Sequence, residues 1–249
     1  MEGWNTEQRG NVAVITFVHP PENLLGFRYL AELNQVLLDL SDEPSVRMIV
    51  ITGGVDGFFV GHADLGDVEA LVEGRKGAGE PDWWNLTLER ISSISQPVVA
   101  AVNGQAWGGG CELALACQMR VASHVAHFRF VEVGAGAIPG AGGTQRLPRL
   151  VGPSAAARMI LSGETVDAQQ ALTLGLVNAV LPSDDFIRRV LDWSAPIADQ
   201  PRHSLVAAKR ALLDGIRMPL SEGLAYEQRI FRSMLRSAQS QAMRESRRS

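Results

Sequence analysis

The segment from Val98 to Cys117, "VVAAVNGQAWGGGCELALAC", constrains the fold more than any other part of the chain. It is about as long as the ~20 apolar residues that cross a bilayer, yet it carries Asn103, Gln105 and Glu112 and is interrupted by glycines. Polar and ionisable side chains are costly in lipid and are rare in membrane spans. We therefore interpret the segment as a buried strand, a turn and a buried helix, which require a sizeable core around them.

Glu112 is the unusual residue of this segment, because it follows three glycines, Gly108 to Gly110, in a helix whose other residues are typical of a core. Burying a polar group costs roughly 1 to 3 kcal/mol even when it is partly compensated. Glycines at a strand-to-helix junction allow close backbone approach, and the free N–H groups of the first helical turn can bind an anion or an oxyanion. The same glycines also suit simple packing of a helix on a sheet, and the run alone leaves both interpretations open.

The rest of the chain alternates between strand and helix patterns. "NVAVITFV" (Asn11–Val18) alternates like a strand, and "VRMIVITGG" (Val46–Gly54) is an apolar run typical of a strand covered on both faces. The remaining patterns predict helices at Phe27–Leu40 and Trp84–Ser93, a polar loop at Gly66–Pro81, strands at Arg120–Ala122, His127–Val131 and Leu176–Pro182, and helices from Asp184 onward. The chain is therefore predicted to be an α/β protein with a core over residues 1–195 and a C-terminal helical region over residues 196–249.

Two further glycine-containing stretches are candidates for chemistry. "GFFVGHADL" (Gly57–Leu65) could direct a second N–H donor to the point that the glycines before Glu112 face; the alternative is an ordinary loop in which Asp64 is a helix N-cap. "FRFVEVGAGAIPGAGGTQRLPRLVG" (Phe128–Gly152) places Glu132 at the end of a predicted strand. Two carboxylates in one pocket can divide acid and base work, whereas a solvated strand end is the more common place for a glutamate.

Three motifs taken together resemble a known family. "FFVGHADL", "QPVVAAVNGQAWGGGCELALAC" and "VGAGAIPGAGGTQRLPRLVG" are similar, in order and spacing, to the motifs of the enoyl-CoA hydratase/isomerase family, the crotonases. The resemblance covers roughly Asn11 to Pro182. It implies a spiral of ββα units with a helical C-terminal extension, and a homotrimer or a dimer of trimers.

The resemblance also implies roles for single residues. The backbone N–H groups of Ala63 and Gly109 correspond to the pair that binds the thioester oxygen, and Glu112 and Glu132 to the pair that holds water and moves its proton. Gly140 corresponds to the residue that helps to polarise the thioester through its helix. The other substrate-binding positions implied are Gly61, His62, Asp64 and Leu65. The implied reaction is hydration of a 2-trans-enoyl-CoA to a 3-hydroxyacyl-CoA, with no metal and no redox cofactor, since coenzyme A is part of the substrate.

Three positions depart from the family pattern. His62 stands where a glycine is usual, and it is interpreted either as a solvent-facing side chain or as a contact to coenzyme A. Val131 stands in place of a common proline before Glu132. The C-terminal stretch Ser233–Ser249 lacks the usual Phe near a Lys-Arg pair, so its arginines are either a solvated tail or a contact to the coenzyme A phosphates.

Charge and cysteine content exclude other classes of function. The 23 basic and 27 acidic residues give a formal net charge of −4, so neither nucleic acid nor a membrane is predicted as a partner. Cys111 and Cys117 are the only cysteines, they lie in no metal-ligand spacing, and they follow no secretory signal. These features predict a cytoplasmic protein without a metal site.

Two alternative functions remain open at this stage. A Δ3,Δ2-enoyl-CoA isomerase or another acyl-CoA lyase of the same family would share the enolate-binding apparatus and could use one glutamate alone. A non-catalytic acyl-CoA-binding protein would keep the motifs for folding, although the presence of both Glu112 and Glu132 argues against it. The length of the acyl chain has no sequence signature here.

Overall fold

The structure is a computed structural model that describes residues 1–74, 82–237 and 241. The strands in this part of the chain are β1 (Gly3–Arg9), β2 (Val12–Val18), β3 (Met48–Gly53), β4 (Phe58–Val60), β5 (Val98–Val102), β6 (Gln105–Trp107), β7 (Met119–Ser123), β8 (His127–Arg129), β9 (Val166–Asp167) and β10 (Ala179–Leu181). The helices are α1 (Phe27–Ser41), α2 (Leu65–Val72), α3 (Trp83–Ser93), α4 (Gly109–Ala116), α5 (Gly143–Val151), α6 (Pro153–Ser162), α7 (Ala168–Thr173), α8 (Phe186–Ala198), α9 (Arg202–Gly215) and α10 (Leu220–Arg236).

The strands form two sheets, and successive units of the chain contribute one strand to each. The larger sheet has the order β1-β2-β3-β5-β7-β10 and is parallel except for β1. The smaller sheet has the order β4-β6-β8-β9, in which β4, β6 and β8 are parallel. The units β3-β4-α2, β5-β6-α4 and β7-β8-α5 therefore wind in the same sense, as the predicted spiral of ββα units requires.

The larger sheet is covered on both faces. Ile49 and Ile51 of β3 belong to the main hydrophobic cluster with α1 and α4, whereas Met48 and Val50 belong to a second cluster on the opposite face. The second cluster is closed by Phe186 and other residues of α8. This explains why β3 is a continuous apolar run rather than an alternating one.

The sequence patterns left several elements unpredicted, among them β1, α2, α5, α6 and α7. β1 is largely polar and lies at the edge of the larger sheet, so its alternation is too weak to distinguish it from a loop. The prediction of a loop at Gly66–Pro81 is wrong for its first part, where α2 forms a surface helix after Asp64. Residues 75–81 of that predicted loop lie outside the described part of the chain.

The C-terminal region is helical over the residues that the structure describes. The predicted division between residues 195 and 196 falls within α8, and the division itself stays a prediction. Residues 238–240 and 242–249, which include most of the arginine-containing tail, lie outside the described residues. None of the described helices is both long and apolar enough to cross a membrane.

Candidate active site

The predicted site residues lie at one edge of the smaller sheet. β4 and β8 flank β6 in parallel, so the carboxyl ends of all three strands lie side by side. Cross-strand bonds continue past these ends, from the Trp107 N–H to the Gly61 oxygen (3.2 Å) and from the Gly108 N–H to the Arg129 oxygen (2.8 Å). Three stretches distant in sequence, residues 61–65, 108–112 and 130–135, therefore converge.

In the segment after β4, which lies beside Leu25, the backbone N–H of Ala63 points away from Leu25. The Leu25 N–H donates to the His62 oxygen (3.0 Å), and the Asp64 N–H donates to the Leu25 oxygen (3.1 Å). Because successive N–H groups of an extended chain point in opposite directions, the Ala63 N–H points away from Leu25. Within residues 1–74, 82–237 and 241, neither the Ala63 N–H nor the Gly109 N–H donates a hydrogen bond.

The start of α4 depends on glycine for its geometry. Gly108 has φ +49° and ψ −117°, a conformation that side chains disfavour, and a Cβ there would lie 2.9 Å from Oε1 of Glu132. A Cβ on Gly110 would overlap the Val60 oxygen, so the helix start packs directly on the end of β4. The glycines therefore fit both interpretations made from the sequence, because they allow close packing and leave the Gly109 N–H without an acceptor among the described residues.

Glu112 is buried, at 3% exposure, on the first turn of α4. Its Oε1 accepts hydrogen bonds from the Ala141 N–H (2.7 Å) and the Gly143 N–H (2.8 Å), at the start of α5. Burial raises the pKa of Glu112 to about 7, against the lowering effect of these two bonds, and the charge of Glu132 adds to the rise. Glu112 is therefore partly protonated near neutral pH.

Glu132 is half-buried three residues after the end of β8, and its carboxylate faces the start of α4. Its Oε2 is buried and has no hydrogen-bond partner among the described residues. Burial raises the pKa of Glu132. Backbone hydrogen bonds and the electrostatic effect of His62 partly offset this rise. The structure thus brings the two glutamates to one place with raised pKa values, an arrangement that suits proton transfer.

The other predicted positions lie at the same edge of the sheet, with different surroundings. Nδ1 of His62 lies 2.6 Å from the Ala63 oxygen. Oδ1 of Asp64 accepts from the Gly66 N–H (2.8 Å), as the N-cap interpretation predicted. Leu65 is exposed as the first residue of α2, and Gly61 is buried against the backbone of Glu22. The roles of these residues toward a substrate stay predictions.

Gly140 is exposed and precedes the two residues whose amides hold Glu112. A Cβ there would meet only the Ile138 oxygen, at 3.9 Å, so packing does not require glycine at this position. The contacts of Ala141 and Gly143 were missed from the sequence, although a glycine-rich loop before a helix is a recognised anion-binding pattern.

Trp84 of α3 also lies against the candidate site. A Cβ on Gly109 would overlap Cη2 of the Trp84 ring and lie 3.1 Å from the two adjacent ring carbons. The indole therefore covers Gly109 closely and forms one wall beside its free amide. No three His, Cys, Asp or Glu side chains converge as a metal site in residues 1–74, 82–237 and 241.

The raised pKa of Glu112 predicts how the free energy of unfolding changes with pH. A carboxyl group whose pKa is higher in the folded state stabilises the fold at low pH and loses that contribution as pH rises from the unfolded value of 4.5 to about 7. Glu112→Gln keeps an oxygen for the two amides and removes the buried charge. We expect this variant to be more stable than the parent at pH 8, by on the order of 3 kcal/mol at most, and closer to it at pH 5. Urea unfolding at both pH values measures this; an equal difference at both would contradict it.

Comparison with known proteins extends the resemblance to nearly the whole chain. The enoyl-CoA hydratase/isomerase family profile matches residues 7–249. A 2,3-dehydroadipyl-CoA hydratase of Escherichia coli is 39% identical over 222 residues, which is 88% of this chain and 85% of that protein. A short-chain-enoyl-CoA hydratase of Clostridium acetobutylicum is 35% identical over 228 residues, with 90% and 86% coverage.

The solved structures agree with the sequence relatives. An enoyl-CoA hydratase from Bacillus anthracis superposes with a TM-score of 0.88 at 30% identity, covering 98% of this chain and 97% of that one. The match includes the two-sheet spiral and the C-terminal helices. By its sequence, its fold and the residues gathered at the edge of its smaller sheet, the chain belongs to the enoyl-CoA hydratase/isomerase family, the crotonases.

Proposed function

We propose that this crotonase-family enzyme adds water to a 2-trans-enoyl-CoA to give a 3-hydroxyacyl-CoA. The observation that carries the proposal is the pair Glu112 and Glu132, two acids with raised pKa values at one sheet edge. Glu132 has a buried oxygen without a partner, which suits a group that binds water or substrate. Relatives named for hydratase activity support the same reaction.

In the proposed reaction the water oxygen bonds to the β-carbon and one water proton passes to the α-carbon. Glu112 and Glu132 hold the water and move the proton. Hydrogen bonds from the free amides of Ala63 and Gly109 stabilise the negative charge that develops on the thioester oxygen. Gly140 helps to polarise the thioester through α5. One such donor contributes about 3 to 4 kcal/mol and a positioned acid or base about 10² to 10⁴-fold. No metal or redox cofactor enters this scheme.

The test is the fate of the conjugated thioester. Hydration of crotonyl-CoA removes its absorbance, whereas isomerisation of a 3-enoyl-CoA creates that absorbance. Loss of absorbance with formation of 3-hydroxybutyryl-CoA supports the proposal. Turnover of 3-enoyl-CoA alone would favour the isomerase, and tight binding without turnover over a series of chain lengths would favour the non-catalytic acyl-CoA-binding protein.

We also propose that the protein assembles as a homotrimer or a dimer of trimers through its C-terminal helices. α10 packs on α9, with a bond of 2.7 Å from the Tyr226 hydroxyl to Asp214, and none of its residues is buried within the single chain. Large apolar side chains are exposed along this pair, namely Leu212, Ile216, Leu220, Leu224 and Phe231. Several exposed large apolar side chains on one helix pair are typical of an interface. The cytoplasmic location stays a prediction.

Replacing Ile216, which is 84% exposed in the single chain, tests this assembly. We expect Ile216→Asp to convert the trimer to smaller species, since it places a charge in the proposed interface. Light scattering after gel filtration measures the mass. Leu161→Asp is the matched control, because Leu161 is 71% exposed on α6, outside the C-terminal pair. An unchanged mass for Ile216→Asp would contradict the proposed interface.

A further inference from the structure

Arg146 is a basic side chain in an unfavourable place, the first turn of α5. The N-terminus of a helix carries a partial positive charge, so a cation there opposes the helix dipole. Side chains of a helix tilt back toward its N-terminus, and Nη1 of Arg146 reaches past the start of α5 to donate to the Ala141 oxygen (2.7 Å). A Cβ on Gly142 would overlap this guanidinium group, so glycine at residue 142 leaves the path open. The position of Arg146 therefore calls for an explanation other than helix stability.

The peptide that Arg146 holds belongs to the turn that binds Glu112. The Ala141 N–H and the Gly143 N–H both donate to Oε1 of Glu112, at 2.7 Å and 2.8 Å. Gly142 lies between them with φ +102° and ψ 5°, and its oxygen accepts from the Arg146 N–H (2.8 Å). Arg146 therefore fixes this turn at two points, through its backbone and through its guanidinium group. Loss of the guanidinium group removes one restraint on the direction of the two amides.

Arg146 also acts on Glu112 through its charge. Burial raises the pKa of Glu112 to about 7 and the charge of Glu132 adds to the rise, whereas the two amides and the charge of Arg146 lower it. In return, burial lowers the pKa of Arg146 and the charge of Glu112 raises it. An arginine side chain stays protonated in a protein. Arg146 is therefore a permanent positive charge beside a carboxyl group that titrates near neutral pH.

Other charged groups face Arg146 from the side away from Glu112. They share with it a cavity of about 730 Å³ between α3, α5 and α9, and they are Glu89, Arg90, Lys209, Arg210, Asp214 and Arg217. Burial lowers the pKa of Lys209 to about 7, so Lys209 titrates in the same range as Glu112. Burial raises the pKa of the nearby Cys117 thiol to about 12, so that thiol stays neutral in this range. A test of Glu112 therefore needs to separate its titration from that of Lys209.

We propose, resting on the hydratase function above, that Arg146 is a positioning residue for the reaction. Its guanidinium group holds the Ala141–Gly143 turn so that two amides converge on Oε1 of Glu112. Its positive charge favours the ionised form of Glu112, which accepts a proton during the reaction. Arg146 thus acts on the substrate only through Glu112.

The first experiment measures crotonyl-CoA hydration between about pH 5 and pH 9. Arg146→Gln is expected to lower kcat about tenfold to a hundredfold with little change in KM, since it displaces the group that moves the proton. The limb of the pH profile that belongs to Glu112 is expected to move to higher pH, because the charge that lowers the pKa of Glu112 is lost. Arg146→Lys keeps the charge and should keep this limb at its parental pH.

Arg149→Gln is the matched control on the same helix. Nη1 of Arg149 also donates to a backbone oxygen at 2.7 Å, that of Gln145, and its side chain is exposed. We expect this variant to keep both kcat and the pH profile of the parent. Parental kcat in Arg146→Gln, or a lower kcat with an unmoved limb, would overturn the inference, because disorder of the turn alone lowers kcat without moving the limb.

A double-mutant cycle tests the effect on Glu112 without any activity. Urea unfolding at pH 8 and pH 5 compares Arg146→Gln made in the parent with Arg146→Gln made in Glu112→Gln. At pH 8, where Glu112 is largely ionised, we expect the larger fall of the urea midpoint in the parent. At pH 5, where Glu112 is protonated, we expect equal falls. Lys209 is present in all four proteins, so its titration cancels.

The cycle also covers a failure to fold or to hydrate. If Arg146→Gln folds at pH 8 only together with Glu112→Gln, the coupling is supported. Equal falls in both backgrounds at both pH values, or failure to fold in both, would assign Arg146 to packing and overturn the inference. If the parent does not hydrate crotonyl-CoA, the hydratase proposal fails, and the cycle alone decides whether Arg146 controls the ionisation of Glu112.

Discussion

Glu112→Gln is expected to reduce hydration of crotonyl-CoA at least about a hundredfold. Glutamine preserves the shape of the side chain and an oxygen for the amides of Ala141 and Gly143, but it can neither accept nor release the proton that the reaction moves. Steady-state loss of the conjugated absorbance measures the effect. Near wild-type turnover would remove Glu112 from the mechanism.

The stability of the same variant provides the control. Because the buried charge of Glu112 costs stability above its pKa of about 7, we expect the inactive variant to be at least as stable as the parent at pH 8. A loss of activity with gained stability cannot be attributed to unfolding, and it is the pattern of a group kept for chemistry. Glu132→Gln should show a comparable loss of turnover.

Gly109→Ala is expected to lower turnover by about 10² to 10³-fold, the range for loss of one oxyanion donor. The added methyl group would overlap the Trp84 ring, so either the indole or the start of α4 must move, and the Gly109 amide moves with the helix. Measurement of kcat and KM separately is informative, since a misplaced donor lowers kcat rather than merely weakening binding.

A second substitution identifies the cause of this loss. In Gly109→Ala combined with Trp84→Ala, the clash is removed, and we expect turnover to recover at least about tenfold relative to Gly109→Ala alone. Gly215→Ala is the matched control, because a Cβ there meets nothing within 4 Å and the residue lies at the end of α9, outside the three converging segments. If Gly109→Ala were as active as the parent, or if the double variant were no better than the single one, the Gly109 amide would not act as proposed.

Patterns of burial made much of this fold predictable. β3 and α4 were predicted because a strand covered on both faces and a glycine-led apolar helix leave a local signature. β1 and α2 were not, since an edge strand and a surface helix bury too little to impose a period.

For the site, resemblance to family motifs predicted Glu112 and Glu132, whose convergence the structure reproduces. The residues that hold them in place were not predictable. Which amide meets Glu112 and which ring covers Gly109 depend on the path of the chain over long separations. The hydrophobic periodicity of a local segment contains no information about such contacts.

The two amides that hold Glu112 have a consequence for how this site can change. Every residue except proline carries a backbone N–H, so exchange of the Ala141 side chain leaves its donor in place, while Ala141→Pro deletes it. Much of the machinery proposed here, at residues 63, 109, 141 and 143, consists of such donors. A survey that truncates side chains one by one would find the acids and pass over the groups that orient them.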